Sequence, residues 1–268
     1  MARLTISNVF DSHKKQRQIA LMPFVPAGYP DLQTTAATIE SLAAAGAGII
    51  EIGIPFSDPI ADGPIIQEAF TETLKHKLHV NDVFSMVASV RTKVNIPLAA
   101  MVSYSVVFRY GLARFLTNAK MSGFDGLILP DLPPPEAQKI CEQIRSAGLD
   151  TILFIAPTTA PQRRAEIVAL CSGFVYYLSI SGITGERQQL PSDLRDNVKE
   201  IKQLTDRPVC VGFGIHKAEH VKQLADFADG AIVGSAMVRR MKEHLTQGST
   251  SIASAAGVYC KELLSLVR

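Results

Sequence analysis

The sequence of 268 residues lacks the signals that mark several large classes of protein. No stretch approaches the roughly 18 uninterrupted apolar residues of a membrane-spanning helix, and the N-terminus lacks the basic-then-apolar order of a signal peptide. Cysteines are few and far apart (Cys141, Cys171, Cys210 and Cys260), so neither a disulfide framework nor a zinc ribbon is expected. We therefore expect a soluble, cytoplasmic protein with reduced thiols.

A strong charge bias is also missing. The formal net charge is only +2, which gives no electrostatic reason to expect nucleic acid or an anionic membrane as a partner. Charged residues make up 19% of the chain and hydrophobic residues 47%, a balance that argues against disorder and provides for a large core. Since no linker or low-complexity stretch interrupts the sequence, residues 1–268 are expected to form a single domain.

Eight short apolar runs recur along the chain. Each has the length of a strand, is rich in Ile, Val, Leu or aromatic residues, and is bounded by Gly, Pro or Asp. Because the runs are almost continuously apolar instead of alternating, they are typical of parallel strands buried on both faces. The runs are 19–25, 48–54, 96–102, 125–131, 150–157, 173–180, 207–214 and 229–236.

Amphipathic patterns separate these runs and predict helices. Residues 31–46 end on Gly46, which suits a C-cap, and residues 134–148 open with prolines. Residues 192–204 predict a helix with Ser192 as its N-cap. Eight strands alternating with about eight helices predict a closed (β/α)₈ barrel. An open doubly wound sheet is the alternative, although no G-x-G-x-x-G follows the first run.

Two segments fall outside the eight strand–helix units. Residues 3–17 predict an extra N-terminal helix that would plug the bottom of the barrel, and residues 249–266 predict a C-terminal helix. In such barrels the active site lies at the C-terminal ends of the strands and in the loops that follow them. The candidate functional residues are therefore those that end a run or follow it.

Glu51 lies inside the second apolar run, in the sequence GIIEIGIPFSDPIADGP. A carboxylate in such a strand costs several kcal/mol unless it is paired or takes part in chemistry, and no run supplies an interior Lys or Arg. Burial should raise its pKa and suit it to proton transfer. Asp58 and Asp62 follow in the loop, where Asp-Pro and Asp-Gly are also ordinary turn signals. We predict a function for Glu51, while both interpretations stay open for Asp62.

Glycines follow the seventh and eighth runs, where barrels often bind phosphate. Gly212 and Gly214 would let the backbone approach a ligand closely, and Gly234 with Ser235 would present amides and a hydroxyl at a helix N-terminus. The alternative is that these glycines only form turns. The loop 181–191 after the sixth run is long for such a connection and predicts a mobile lid.

The runs contain no lysine that could form a Schiff base and no histidine that could bind a catalytic zinc, so neither mechanism is expected. His216 and His220 are four apart on an expected helix, but the inner Glu of HExxH is missing between them. They are expected to be surface histidines, as are His76 and His79. The sequence therefore predicts a cofactor-free enzyme that uses carboxylates on a phosphorylated small molecule.

Several motifs resemble those of one known family, the tryptophan synthase α subunits. The resemblance covers every barrel unit from residue 20 to residue 240, and the loop PFSDPIADGP is highly specific. The motifs are MPFVPAGYPD (22–31), EIGIPFSDPIADGPIIQ (51–67), GLILPDLPPPE (126–136), APTT (156–159), SGITG (181–185), GFGI (212–215) and GSA (234–236). The resemblance implies a (β/α)₈ barrel that cleaves indole-3-glycerol phosphate into indole and glyceraldehyde 3-phosphate.

The resemblance also implies partners and residue roles. It implies no cofactor in this chain, and a β subunit that carries pyridoxal phosphate and receives the indole within an αββα heterotetramer. By motif position, Glu51 is the acid–base residue and Asp62 the second catalytic carboxylate, which would stabilise the indole N–H. Thr184 would belong to the lid, and Asp58 would help to signal to the β subunit. The phosphate-binding positions are Gly185, Gly214, Gly234 and Ser235, and the indole pocket positions are Phe24, Ile66, Met101, Ile155, Tyr176 and Phe213.

Two positions depart from the family pattern. Ser105 stands where the family usually has Asn near the partner interface, and Ile180 stands where some members have Arg at the start of the lid. Three alternatives stay open at this point. They are a different phosphate-binding barrel enzyme, a barrel that mainly regulates the β subunit, and a lyase that releases indole without a partner.

Overall fold

Eight parallel strands close into a barrel in this computed structural model, which describes residues 3–59, 62–179, 190–212 and 214–267. The strands are β1 (Ala20–Pro26), β2 (Ile50–Gly53), β3 (Leu98–Met101), β4 (Gly126–Ile128), β5 (Asp150–Ile155), β6 (Val175–Leu178), β7 (Val209–Gly212) and β8 (Gly230–Val233). Each strand pairs with the next along the chain, and β8 pairs with β1 to close the ring. The predicted barrel is confirmed, and the open sheet is excluded.

Helices cover the outside of the strands. The described residues contain twelve α-helices, two more than the eight barrel helices and two terminal helices that the sequence predicts, because the connections after β2 and β3 carry two each. The helices are α1 (Ile6–Gln16), α2 (Leu32–Ala45), α3 (Pro64–Lys75), α4 (Val80–Val90), α5 (Tyr104–Tyr110), α6 (Leu112–Ser122), α7 (Ala137–Ser146), α8 (Pro161–Leu170), α9 (Leu194–Leu204), α10 (Ala218–Ala225), α11 (Ser235–Lys242) and α12 (Ser249–Leu264). Short 3₁₀ turns at Pro134–Glu136 and Leu245–Gln247 precede α7 and α12.

One face of the strands fills the barrel interior. Because successive side chains of a strand point to opposite faces, residues two apart share a face. Ile49, immediately before β2, packs in the interior cluster, so Glu51 points into the same space. The other strands contribute one or two side chains each to this cluster. These are Ala20, Met22, Ala99, Ile128, Ile152, Tyr176, Cys210 and Ile232.

The N-terminal helix closes the bottom of the barrel. Ile6, Val9 and Phe10 of α1 belong to the interior cluster, and the ring of Phe10 lies edge-on to that of Phe174, with centroids 5.9 Å apart. Helix α1 begins at an N-cap, Thr5, whose side chain accepts a hydrogen bond from the N–H of Asn8. The predicted plug is thus confirmed. The predicted C-terminal helix forms α12, which packs against α2.

The end of α2 confirms one predicted helix boundary, and the start of α9 corrects another. Gly46 caps α2 in the left-handed conformation, with φ of 100°, as the sequence predicts. Ser192 is not the N-cap of the next predicted helix, because a turn closed by the N–H of Leu194 on the carbonyl of Pro191 delays the helix start. Asp193 takes the N-cap position. Within the described ranges, no helix is long and apolar enough to cross a membrane.

The plug generates a stability prediction. Replacing Ile6 by Ala should lower the free energy of unfolding by about 2–5 kcal/mol, because it leaves a cavity between α1 and the barrel floor. Leu4→Ala is the matched control, since Leu4 is 41% exposed whereas Ile6 is 0% exposed. The control should lower the free energy of unfolding by less than about 1 kcal/mol. Urea unfolding of both variants gives the comparison, and equal losses would show that α1 does not plug the barrel.

Candidate active site

Glu51 is a buried carboxyl in the wall of the barrel. It lies in β2 between Phe24 of β1 and Ala99 of β3, its partners in the strand register, and is only 2% exposed. Within the described part of the chain, its Oε1 has no hydrogen-bond partner. Burial raises the pKa of Glu51 to about 8, and the nearby charge of Asp62 adds to the effect. At neutral pH this carboxyl therefore holds a proton.

Asp62 supplies a second buried carboxyl from the loop after β2. It is 8% exposed and lies one residue before Gly63, the N-cap of α3. Its N–H donates to the carbonyl of Pro59, while Gln67 Nε2 donates to the carbonyl of Asp62 at 2.8 Å. Burial raises the pKa of Asp62 to about 6, so this group is mostly ionised at neutral pH. The two carboxyls are thus near each other and differ in protonation.

Tyr176 lies close enough to both carboxyls for their charges to act on it. Its side chain is buried in the barrel interior, and its pKa is raised by burial and further by the charges of Glu51 and Asp62. The ring of Phe154 packs on it, with centroids 4.4 Å apart. A Cβ at Gly212 would lie 2.5 Å from the Tyr176 ring, so glycine is required there. The structure therefore brings Tyr176 to the carboxyl pair, as the indole-pocket prediction requires.

An apolar cavity of about 330 Å³ opens beside Asp62 at the C-terminal end of the strands. Met101 and Phe70 line it, and Phe24 packs on Phe70 with ring centroids 6.3 Å apart. Ile155 is fully buried near the end of β5, with no described contact that joins it to this cavity. The structure thus gathers Phe24 and Met101 near Asp62, and Ile155 stays a prediction.

The glycines after β7 and β8 follow two neighbouring strands. Gly212 pairs with Ile232 in the strand register, so Gly214 and Gly234 each follow this pair by two residues. Gly214 has φ of 75°, a left-handed conformation that favours glycine. Gly234 precedes α11, and no side chain of the described residues caps that helix at Ser235. The positive end of α11 is thus available to an anion.

Ile66 connects the two halves of the site. It lies in the first turn of α3, four residues after Asp62, and its Cδ1 is 3.7 Å from the position that a Cβ of Gly234 would take. The carboxyl pair and the glycines after β7 and β8 therefore border one region at the C-terminal end of the barrel. Such a region can hold an apolar group beside the carboxyls and an anionic group beside α11.

Ser103 and Asp131 line the cavity but were not singled out from the sequence. Ser103 Oγ donates to Asp131 Oδ2 at 2.6 Å, and the N–H of Tyr104 donates to Oδ1 at 2.7 Å. Asp131 ends the fourth apolar run, and this position at a strand end is the sequence feature that could have identified it as a site residue. Asp58 and Ser105 border the same cavity, and both are exposed.

Some predictions about candidate residues concern positions that the structure does not describe, and the surface position predicted for His220 was wrong. Gly185, Thr184, Phe213 and Ile180 lie outside the described residues. His76 and His79 are exposed, as predicted. His220 was predicted to be a surface residue, yet it is only 1% exposed, because α10 turns that side toward its neighbours. His216 is half-buried.

The fold and the carboxyl pair define a (β/α)₈ barrel enzyme able to exchange protons with a small ligand. Residues 10–267 match the sequence profile of the family described as "Tryptophan synthase alpha chain", and the chain belongs to that family. It is 41% identical to the tryptophan synthase alpha chain of Rhodopirellula baltica in an alignment 268 positions long, gaps included, that covers 96% of each chain. It is 42% identical to that of Chloroflexus aggregans over 261 residues, which cover 97% of each.

Solved structures show the same architecture. Tryptophan synthase of Mycobacterium tuberculosis superposes with a TM-score of 0.89 at 35% identity, covering 100% of this chain and 99% of that one. A mutant tryptophan synthase alpha-subunit of Pyrococcus furiosus superposes with a TM-score of 0.85 at 36% identity, covering 92% and 98%. Sequence and fold therefore lead to the same family.

The raised pKa of Glu51 predicts how stability depends on pH. The native state keeps the Glu51 proton up to about pH 8, whereas the unfolded chain loses it above the ordinary pKa of 4.5. Between these values the native state binds more protons, so the free energy of unfolding falls as the pH rises, by up to about 1.4 kcal/mol per pH unit. Asp62 adds to this fall only up to its pKa of about 6.

Glu51→Gln removes this titration. Between pH 6 and pH 8 the free energy of unfolding of the variant should fall less than that of the wild type, so the variant gains stability relative to the wild type as the pH rises. Urea unfolding at each pH measures the difference. Glu142→Gln, which changes an exposed carboxyl, is the control and should leave the pH dependence unaltered. Parallel curves for the wild type and Glu51→Gln would show that Glu51 is ionised across this range.

Proposed function

We propose that Glu51 and Asp62 carry out a retro-aldol cleavage of indole-3-glycerol phosphate into indole and glyceraldehyde 3-phosphate. The chain belongs to a family that catalyses this lyase reaction in tryptophan biosynthesis. One observation carries the assignment of residues. A buried Glu51 that holds its proton at neutral pH lies near a second buried carboxyl at the C-terminal end of the strands.

Glu51 acts first as an acid and then as a base. The carbon–carbon bond breaks only when the electrons have an acceptor, and the indole ring becomes one once it is protonated at C3. Glu51 delivers that proton, and its carboxylate then takes the proton from the hydroxyl on the carbon attached to the ring. That carbon becomes the aldehyde of glyceraldehyde 3-phosphate, the bond to C3 breaks, and its electron pair restores the aromatic indole.

Asp62 acts as the ionised partner. Protonation at C3 leaves the ring nitrogen short of electrons, and a carboxylate that accepts a hydrogen bond from the ring N–H stabilises this charge. The pKa of about 6 keeps Asp62 ionised at neutral pH while Glu51 stays protonated. Two carboxyls thus take different roles because their environments differ.

The rest of the site holds the two ends of the substrate. The backbone of Gly214, Gly234 and Ser235 binds the phosphate at the positive end of α11, supported by the adjacency of β7 and β8. Gly185 joins them, and Thr184 belongs to the lid. Indole lies among apolar side chains next to the carboxyl pair. These are Phe24, Ile66, Met101, Ile155, Tyr176 and Phe213.

The chain works as the α subunit of a heterotetramer of two α and two β subunits. It needs no cofactor of its own, and the β subunit carries pyridoxal phosphate and receives the indole. Asp58 and Ser105 face this partner beside the cavity, and Phe108 on the same helix as Ser105 is 71% exposed. The protein forms one domain and acts in the cytoplasm.

Two conservative substitutions test the catalytic assignment. Glu51→Gln and Asp62→Asn should each lower kcat for indole release by about 10²–10⁴-fold, because each removes a proton-transfer or charge-stabilising group. Circular dichroism and the dissociation constant of glycerol 3-phosphate should stay near the wild-type values. Glu142→Gln, an exposed change of the same kind, should keep full activity. Near-normal indole release by either catalytic variant would overturn the mechanism.

Indole release with and without a β subunit separates the remaining alternatives. Slow release by the chain alone that rises strongly with the partner supports the α-subunit role. Fast release without the partner would identify a lyase that works alone. No indole in either condition would mean a regulatory barrel or a different phosphorylated substrate.

A further inference from the structure

A histidine side chain holds the loop after β7. His216 Nδ1–H donates to the carbonyl oxygen of Gly214 at 2.8 Å, since a carbonyl can only accept. Gly214 takes the left-handed conformation, in which the chain turns sharply. The imidazole thus reaches back over two residues and fixes the orientation of the peptide unit between Gly214 and Ile215.

The C-terminal helix reaches the same loop through Tyr259. The Tyr259 hydroxyl donates to the carbonyl oxygen of His216 at 2.7 Å, and the side chain is only 7% exposed. On the ring of Tyr259 lies the guanidinium of Arg240, 4.9 Å from the centroid. Arg240 belongs to the last turn of α11, the helix that starts directly after Gly234. One tyrosine therefore joins the segments that follow β7 and β8.

His220 supports the histidine from the other side. Its ring is buried and meets that of His216 edge-to-face, with centroids 4.8 Å apart and an interplanar angle of 89°. His216 is therefore held by its hydrogen bond to Gly214, by the Tyr259 hydroxyl on its carbonyl and by the His220 ring. Its side chain has a defined position and is not a free surface group.

We propose that His216 and Tyr259 are positioning residues for phosphate binding. They fix the peptide that follows Gly214 relative to α11, so that the segments after β7 and β8 can present backbone N–H groups to one phosphate, and less conformational freedom of the loop is lost when the phosphate binds. Neither side chain contacts the substrate. The inference rests on the proposed function, because it takes Gly214 and Gly234 as phosphate-binding residues.

Three variants test the proposal in the full chain assembled with a β subunit. His216→Ala removes the donor to Gly214, while His216→Asn keeps a side-chain N–H near the position of Nδ1. Tyr259→Phe removes the hydroxyl and keeps the ring beneath Arg240. The control is His13→Ala, because His13 Nδ1 donates to the Val9 carbonyl at the same 2.8 Å in α1, at the opposite end of the barrel.

Ligands with and without a phosphate supply the readout. For His216→Ala and Tyr259→Phe, KM for indole-3-glycerol phosphate and the dissociation constant of glycerol 3-phosphate should rise about three- to tenfold, the range for one lost hydrogen bond. kcat should change by less than about twofold, and the dissociation constant of indole should not change. His216→Asn should restore phosphate binding, and His13→Ala should match the wild type. Should His216→Ala fail to fold, His216→Asn and Tyr259→Phe still carry the comparison.

Three outcomes would overturn the inference. Unchanged affinity for glycerol 3-phosphate in His216→Ala and Tyr259→Phe would show that the loop needs no such support. Equal weakening of indole and glycerol 3-phosphate would show a general structural role. Failure of the wild type to bind glycerol 3-phosphate would remove the phosphate site itself, and this result separates a wrong function from a wrong positioning role.

Discussion

The cost of holding the Glu51 carboxyl inside an apolar barrel is the constraint on which the site depends. All residues of β1 and β2 are buried, and the strand partners of Glu51 are Phe24 and Ala99, neither of which can neutralise a charge. Burial therefore raises the pKa of Glu51 to about 8, and the side chain keeps its proton at neutral pH. A carboxyl that still holds its proton at neutral pH thus follows directly from the apolar packing around it.

Asp62 differs from Glu51 because it sits in a loop and not in a strand. Its backbone is fixed by hydrogen bonds that involve Pro59 and Gln67, and its side chain borders an open cavity. Since this position is less completely desolvated, the pKa rises only to about 6. The ionised Asp62 in turn raises the pKa of Glu51, so each carboxyl helps to define the protonation state of the pair.

The barrel could be predicted from the sequence because burial on both faces leaves a pattern in each run. The buried, unpaired carboxyl of Glu51 could be predicted because no run offered a Lys or Arg in its interior to pair with it. Asp131 could not, since its place in the cavity depends on how Ser103 and Tyr104 after β3 meet the end of β4. The burial of His220 likewise depends on which side of α10 faces its neighbours, and a short helix gives too few residues to decide that.

Closure of the barrel brings the two ends of the site together. Glu51 and Gly234 are far apart in the sequence, and in an open sheet with the same strand order they would lie near opposite edges. Pairing of β8 with β1 places the end of β8 only two strands from β2. Ile66 then reaches the position of Gly234 from α3. The plug formed by α1 and the contacts of α12 thus serve the site indirectly, because they stabilise the closed ring that brings the carboxyl pair close to the proposed phosphate site.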